Sequence, residues 1–142
     1  MGRRIRVLGA VAALALALGT YPAGAATHPR RHITVRPSIA LRNGEVVRVQ
    51  GAGFKAHETV YLVECLAVAQ GQSQCDILTA TLAKTTARGV LPVTRFKVHT
   101  GKIGKGSCGT TPRNLAACAI SVGTASGRDT ASARIRFRLV RS

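Results

Sequence analysis

The sequence lacks tryptophan and has only two tyrosines, three phenylalanines and five acidic residues among its 142 residues. With so few carboxylates, hydrolysis by a pair of acidic side chains, as in glycosidases, is not expected. The scarcity of rings argues against base stacking on single-stranded nucleic acid. The apolar fraction of 46% is nevertheless ordinary, so the chain is expected to fold as one compact domain rather than to be disordered.

Long apolar runs are also scarce, and the one that is present lies near the N-terminus, from Val7 to Gly19. It is too short to span a bilayer. Three arginines precede it and Ala23-Gly24-Ala25 follows it, which is the order of a secretory signal and its cleavage site. We therefore expect residues 1–25 to be removed and the protein to be secreted, without a membrane span. Removal leaves 117 of the 142 residues and, because three arginines are lost, lowers the formal charge from +16 to +13.

The rest of the chain predicts strands and turns. A polar, flexible lead-in covers residues 26–32, and residues 33–142 form one domain with about seven short strands. Side chains alternate along these strands: between Glu58 and Leu66, one face carries Val60, Leu62 and Glu64, and the other carries Tyr61, Val63 and Cys65. No amphipathic helix of useful length follows residue 26. The pattern predicts an all-β fold, an immunoglobulin-like seven-stranded antiparallel β-sandwich, with a small barrel as the alternative.

Several segments are less regular. Residues 77–84 predict a pair of short edge strands, and the Gly- and Lys-rich residues 100–112 predict a flexible basic loop. Asn43-Gly44 predicts a hairpin turn. The alternation over residues 131–140 places Leu139 on the inward face.

Four cysteines in an exported chain of this size predict two disulfides. Cys65 and Cys75 are ten residues apart, and so are Cys108 and Cys118. The residues alone leave all three connectivities open. A zinc site would need closer cysteine spacing or clustered histidines, so no metal site is expected.

The segment from Val46 to Phe54 reads VVRVQGAGF and resembles the VVKVAGAGL stretch of the neocarzinostatin family. Pro37-Ser38 and Asn43-Gly44 before it, and the spacing of the cysteines, are similar as well. The resemblance extends over nearly the whole predicted mature chain. It implies a small secreted apoprotein with an immunoglobulin-like sandwich, which holds an enediyne chromophore non-covalently, delivers it to DNA and is not an enzyme. It also implies the two disulfide-closed loops Cys65–Cys75 and Cys108–Cys118.

The resemblance further implies a ligand cleft on the outer face of two neighbouring strands. Its predicted lining is Tyr61, Val63, Cys65, Ala67, Cys75, Ala80, Ala119, Ser121 and Gly123. Family members that hold a chromophore have tryptophan at the position of Ala67 and phenylalanine at that of Ala80. Because aromatic ligands stack on such rings, we expect this chain to bind an enediyne chromophore no more tightly than about 1 μM.

The excess of basic residues gives a second expectation. Arg134, Arg136 and Arg138 alternate along one strand and would lie about 6.6 Å apart on one face. Together with Arg95, Lys97, Lys102 and Lys105 they are predicted to bind polyanions such as DNA or acidic polysaccharide without reading bases.

The sequence therefore predicts a secreted, monomeric, non-catalytic protein that binds polyanions through its basic surface. The alternative is a carrier of a small aromatic ligand with an antimicrobial role. No cofactor is expected apart from such a chromophore. No nucleophile elbow accompanies the serines and histidines, which is why catalysis is not expected.

Overall fold

The structure is a computed structural model that describes residues 29–68 and 71–139. The predicted signal peptide and the first residues of the lead-in lie outside these ranges. Nine strands are described: β1 His32–Arg36, β2 Val46–Ala52, β3 Thr59–Leu66, β4 Cys75–Lys84, β5 Leu91–Lys97, β6 Gly101–Ile103, β7 Gly106–Cys108, β8 Cys118–Gly123 and β9 Ala131–Ile135. One short 3₁₀ turn, Gln72–Gln74, precedes β4. In the described ranges, no helix is long and apolar enough to cross a membrane.

Seven of the strands form two antiparallel sheets, and this confirms the predicted immunoglobulin-like β-sandwich. One sheet has the order β1-β2-β5, and the other has the order β4-β3-β8-β9. The remaining two strands, β6 and β7, pair only with each other.

The core lies between the two sheets because alternate residues of each strand point inward. Val47 of β2, Leu62 of β3, Phe96 of β5 and Ile120 of β8 are essentially inaccessible to solvent. Burial of each such side chain contributes about 1.5–3 kcal/mol, and this burial holds the sheets together. The outer face of each sheet is consequently free for other roles.

Residues 77–84 belong to one strand, not to the predicted pair of short edge strands. Along β4, Thr81 pairs with Leu62 but Asp76 pairs with Glu64, so residues 77–80 lie opposite the single residue Val63. We call residues 77–80 the β4 bulge. The strand remains continuous because it regains its pairing with β3 on both sides of the bulge.

Residues 100–112 are not the predicted flexible loop, because they contain the β6–β7 hairpin. Its glycines permit close packing rather than mobility. A Cβ on Gly104 would lie 2.5 Å from the Cα atom of Gln74, and one on Gly106 would lie 2.8 Å from a methyl carbon of Leu66. The hairpin therefore lies against the end of β3 and the turn before β4.

Two smaller predictions also need correction. Leu139 is 49% exposed, because the inward alternation of β9 ends at Phe137, which bridges to Leu41 and fills the core. Asn43-Gly44 does form a turn, but β1 and β2 are joined through the longer segment 37–45. The Gly44 N–H donates to the Val98 carbonyl 2.8 Å away, so this turn packs on the chain that follows β5.

The two disulfides are Cys65–Cys75 and Cys108–Cys118, and no free cysteine is found in the described ranges. The first joins neighbouring positions of β3 and β4. The second joins the end of β7 to the start of β8 and is fully buried. The first disulfide therefore links two strands within the four-stranded sheet, and the second ties the β6–β7 hairpin to that sheet.

Candidate functional site

An open cleft of about 780 Å³ lies on the outer face of the four-stranded sheet. Alternation along β3 directs Tyr61, Val63 and Cys65 toward it, while Leu62 and Glu64 point into the core. Because β8 is the neighbour of β3, its outward residues continue the floor. Tyr61 lies opposite Gly123 and Val63 lies opposite Ser121.

The side of the cleft formed by β8 and β9 is rich in hydroxyl groups. Ser121 and Ser132 lie opposite each other on these strands, and their Oγ atoms are 2.8 Å apart. Thr124, Ser126 and Thr130 also line this side. Hydroxyls can both donate and accept, so this side can hydrogen-bond to a polar ligand of either kind.

The opposite wall of the cleft is apolar and comes from β4. Cys75, Ile77 and Ala80 line it, and Ile77 is 53% exposed. Because the β4 bulge carries Ile77 and Ala80 out of the regular ladder, this wall departs from the plane of the sheet. At the bulge, Leu78 is 98% exposed and does not line the cleft.

A hydrogen bond between two loops borders the cleft. The Gln72 side-chain amide donates to the Ala125 carbonyl over 2.8 Å. The loop that carries Ala125 is itself fixed, since the Thr124 N–H donates to the Arg128 carbonyl and the Gly127 N–H donates to the Thr124 carbonyl. These hydrogen bonds give the cleft a defined border.

Most of the predicted cleft residues meet in this cleft, and two do not. Tyr61, Val63, Cys65, Cys75, Ala80, Ser121 and Gly123 all line it. Ala67 lies beyond the end of β3, where its N–H donates to the Ala117 carbonyl. Ala119 is only 3% exposed and is not in contact with the cleft.

Other lining residues were not predicted from the sequence. Ile77 and Gln72 could not be assigned because the β4 bulge and the 3₁₀ turn leave no periodic signal. Ser132 could have been found, because it alternates with the inward Ala131 and Ala133, and β9 was already predicted as a strand.

A buried carboxylate lies beneath the cleft floor. Glu64 is inaccessible to solvent, and its Oε2 accepts a hydrogen bond from the His99 backbone N–H over 2.9 Å. Its Oε1 is 3.7 Å from the Cys108 sulfur, which belongs to a disulfide and has no hydrogen to donate. Burial raises the pKa of Glu64 from 4.5 to about 7; the His99 hydrogen bond partly opposes this shift and the Asp76 charge adds to it.

Glu64 also completes the only group of side chains in the described ranges that has the spacing of a metal site. The other members are Cys108 and Cys118, whose sulfurs are bonded to each other. Disulfide sulfurs are not thiolates, and zinc is bound by thiolates. The group is therefore part of the core rather than a candidate metal centre.

The predicted polyanion-binding residues are all exposed, and they come from several separate elements. Arg95 and Lys97 lie on β5 of the three-stranded sheet, whereas Arg134 lies on β9, directly opposite Ala119 of the four-stranded sheet. Arg136 and Arg138 follow β9, and Lys102 and Lys105 belong to the β6–β7 hairpin. Sequence alternation identifies neighbours within one strand only, which is why the seven residues could not be sorted by sheet.

Among the described residues, Asp129 makes the ion pairs. Arg31 and Lys55 both contact its carboxylate, the latter at 3.0 Å. The hydrogen bond from Lys55, together with the charges of Arg31 and Arg128, holds the pKa of Asp129 below its usual range. Arg31 lies in the predicted flexible lead-in, so this pair attaches the start of the domain to the turn before β9.

Similarity to known proteins extends over most of the chain. The profile of the Neocarzinostatin family matches residues 33–137. The antitumor antibiotic C-1027 apoprotein of Streptomyces globisporus is 32% identical over 140 residues, which is 96% of each chain. Actinoxanthin of the same organism is 34% identical over 89 residues, 63% of this chain and 61% of its own. The structure of macromomycin superposes with a TM-score of 0.59 at 25% identity, covering 77% of this chain and all of that one.

Proposed function

Because the chain belongs to the neocarzinostatin family, we propose that it is a non-catalytic carrier that holds a small organic molecule non-covalently in the cleft. The observation that carries this proposal is the cleft itself, on the outer face of β3 and β8. Its volume of about 780 Å³ is within the range of about 300–1,000 Å³ that is usual for small-molecule sites.

The lining suggests the character of the ligand. Val63 and Ile77 offer aliphatic surface on one side, and the Ser121–Ser132 hydroxyl pair offers hydrogen bonds on the other. A molecule with one apolar edge and one polar edge would use both. Tyr61 is the single aromatic side chain in the lining, so an extended fused-ring ligand finds one stacking partner.

Affinity for an aromatic ligand is therefore expected to be modest. Burial of one ring contributes about 1.5–3 kcal/mol, which is small beside the cost of association. We expect a stable, aromatised enediyne chromophore analogue to bind with a Kd no lower than about 1 μM, near −8 kcal/mol.

The chain offers a direct reporter for this experiment. It has no tryptophan, and its second tyrosine, Tyr21, lies in the predicted signal peptide. Tyrosine fluorescence of the mature protein thus comes from Tyr61, which lies in the cleft. Titration with the analogue is expected to quench this emission in a saturable manner, with calorimetry giving the same Kd.

Two variants test whether the ligand binds in the cleft. Ala80→Phe places a ring in the cleft lining and is expected to tighten binding by about tenfold, or about 1.4 kcal/mol. Ala67→Phe is the matched control, because Ala67 does not line the cleft, and it is expected to leave Kd unchanged. Equal effects of the two variants, or no saturable binding by either variant or by the natural protein, would contradict the carrier proposal.

Secretion is part of the same proposal. The order of charges, apolar run and small residues near the N-terminus supports cleavage after Ala25. Mass spectrometry of protein from the culture medium should give a chain that begins at Ala26. The same spectrum, recorded under native conditions, would detect a small molecule that leaves the cell with the protein.

We propose polyanion binding as a second function, independent of the cleft. The observation in its favour is the shortage of acidic partners. Asp129 is the carboxylate that forms ion pairs in the described ranges, and it engages only Arg31 and Lys55. The remaining positive charge is available to an anionic polymer, and such binding depends strongly on salt.

A further inference from the structure

Three arginines form a row across the three-stranded sheet. Arg48 of β2 lies directly opposite Arg36 of β1 on one side and Arg95 of β5 on the other. All three side chains are exposed, whereas the residues beside them on β2, Val47 and Val49, are buried in the core. We call Arg36, Arg48 and Arg95 the arginine row.

The arginine row is compact. Neighbouring strands are about 4.8 Å apart, so the row extends about 10 Å across the sheet. Lys97 follows two residues after Arg95 on the same outer face and is also exposed. This face is opposite to the one that carries the cleft, because the two sheets pack through their inner faces.

No carboxylate neutralises the row from its own sheet. The sequences of β1, β2 and β5 contain no aspartate and no glutamate. Glu45, which precedes β2, accepts a hydrogen bond from the Arg42 backbone N–H over 2.8 Å. Asp129 is engaged by Arg31 and Lys55.

Such a row does not arise from the needs of folding. Like charges directly opposite each other on neighbouring strands are destabilising, by about 0.2–1 kcal/mol for a pair. The middle residue, Arg48, has a like charge on each side. A neutral polar residue, like the glutamine at nearby position 50, would occupy this outward-facing position of β2 equally well.

We infer that the arginine row is a docking surface for the phosphodiester backbone of duplex DNA. This inference rests on the proposed polyanion binding and adds its location and its partner. Guanidinium groups match phosphate oxygens through two parallel hydrogen bonds, which ammonium groups cannot do. Duplex DNA presents one negative charge per roughly 1.7 Å of axis, so a row about 10 Å long meets several phosphates.

The shape of the surface restricts how DNA is read. A sheet face laid flat on the duplex contacts the backbone and does not enter a groove. The residues next to the row on the same face, Thr34, Gln50 and Val93, have no ring that could stack on a base. Binding is therefore independent of sequence and carried by phosphate contacts.

The test compares two triple variants with the same change of charge. In the row variant, Arg36, Arg48 and Arg95 are replaced by Gln. In the control variant, Arg134, Arg136 and Arg138, which lie on and after β9, are replaced by Gln. The Kd for a 20-base-pair duplex of mixed sequence is measured by fluorescence anisotropy between 50 and 300 mM NaCl, and circular dichroism checks that each variant is folded.

The row variant is expected to lose three phosphate contacts. Each contact contributes about 0.9 to the slope of log K against log salt, so the slope should fall by about 2.7 and the affinity at 0.1 M salt by on the order of 100-fold. The control variant, whose arginines lie outside the row, should lower the slope and the affinity by less than the row variant does. A third variant with Lys at all three row positions keeps the charge and is expected to keep the slope, while its affinity falls because bidentate contacts are lost.

The outcomes separate the location from the function. If the natural protein does not bind the duplex at 50 mM NaCl, the proposed polyanion binding itself fails. If it binds but the row and control variants lose affinity for the duplex equally, the arginine row is not the docking surface and binding is spread over the basic surface. If only heparin binding depends on the row, the partner is a sulfated polysaccharide and the assignment to DNA is overturned. If the Gln row variant does not fold, the Lys row variant is compared with the control variant instead. A loss of affinity in the Lys row variant that is no larger than the loss in the control variant then overturns the arginine row.

Discussion

Among single residues, Glu64 has the environment least suited to its charge. Its carboxyl group is buried under the cleft floor, and it interacts with one backbone N–H and a disulfide rather than with a basic side chain. The charged form is therefore disfavoured in the folded protein. Alternation along β3 already places Glu64 on the inward face with Val60 and Leu62, but it does not show which groups surround the carboxyl there.

The pKa of Glu64 makes stability depend on pH. Because burial raises it from 4.5 to about 7, the folded protein binds a proton more tightly than the unfolded chain does. The resulting stabilisation is fully present below about pH 4.5 and is lost as the pH rises through 7. Glu64→Gln, which stays neutral, should exceed the natural protein in stability by about 3 kcal/mol at pH 8 and match it near pH 4.5.

Urea unfolding at both pH values measures this difference. The glutamine carbonyl can still accept from the His99 N–H, so the comparison isolates the charge. Parallel pH profiles of the two proteins would show that Glu64 does not carry the effect.

At the scale of elements, the disulfides differ in what surrounds them. Cys108 and Cys118 are both fully buried in the core, whereas Cys75 is half-buried at the wall of the cleft. Each closes a loop of equal length, with its cysteines ten residues apart, and the constraint on the unfolded chain is worth about 2.5–3 kcal/mol in either case.

The two double cysteine variants should therefore differ in stability and in affinity for the ligand. Replacing Cys108 and Cys118 with Ala also leaves space in the core, so this variant should lose roughly 1 kcal/mol or more beyond the loss in the Cys65 and Cys75 variant. The latter should instead lose affinity for the chromophore analogue, since its bridge lines the cleft. Denaturant midpoints and titrations of both variants measure the two effects, and equal midpoints would count against the packing argument.

Regular elements were predictable and irregular ones were not. Alternation in β3 and β8 correctly divided Leu62 from Tyr61 and Ile120 from Ser121, because the period of two is a local property of a strand. The β4 bulge, the β6–β7 hairpin and the arginine row depend on which strands are neighbours and in what register. Those relations are set by packing across the molecule, so the resemblance supplied the cleft floor and Cys75 and Ala80 of its apolar wall, but not Ile77.

At the scale of the whole molecule, the excess of positive charge acts against folding. The formal charge is +16 for the full chain, and few of these charges have acidic partners in the described ranges. Mutual repulsion favours the expanded chain, and salt screens it over about 10 Å at 0.1 M. We expect the Tm to rise by a few degrees between 10 and 200 mM NaCl.

Chloride and fluoride salts should raise the Tm equally if screening is the cause.

In 10 mM NaCl, Arg48→Gln should raise stability by about 0.2–1 kcal/mol, because Arg48 has a like charge on either side. The gain should shrink at 200 mM NaCl. Calorimetric melting curves at the two salt concentrations test both statements, and a Tm independent of salt would contradict them.

The β4 bulge has a consequence for how these molecules behave beside one another. The outer edge of a sheet invites a strand of a second molecule to extend it, which is how edge-to-edge aggregates and fibrils begin. At β4 the bulge interrupts that edge in the middle, so no unbroken row of backbone donors and acceptors is available to the strand of a second molecule. A feature that shapes the cleft wall thereby also opposes the addition of a second molecule's strand at the β4 edge of this sheet.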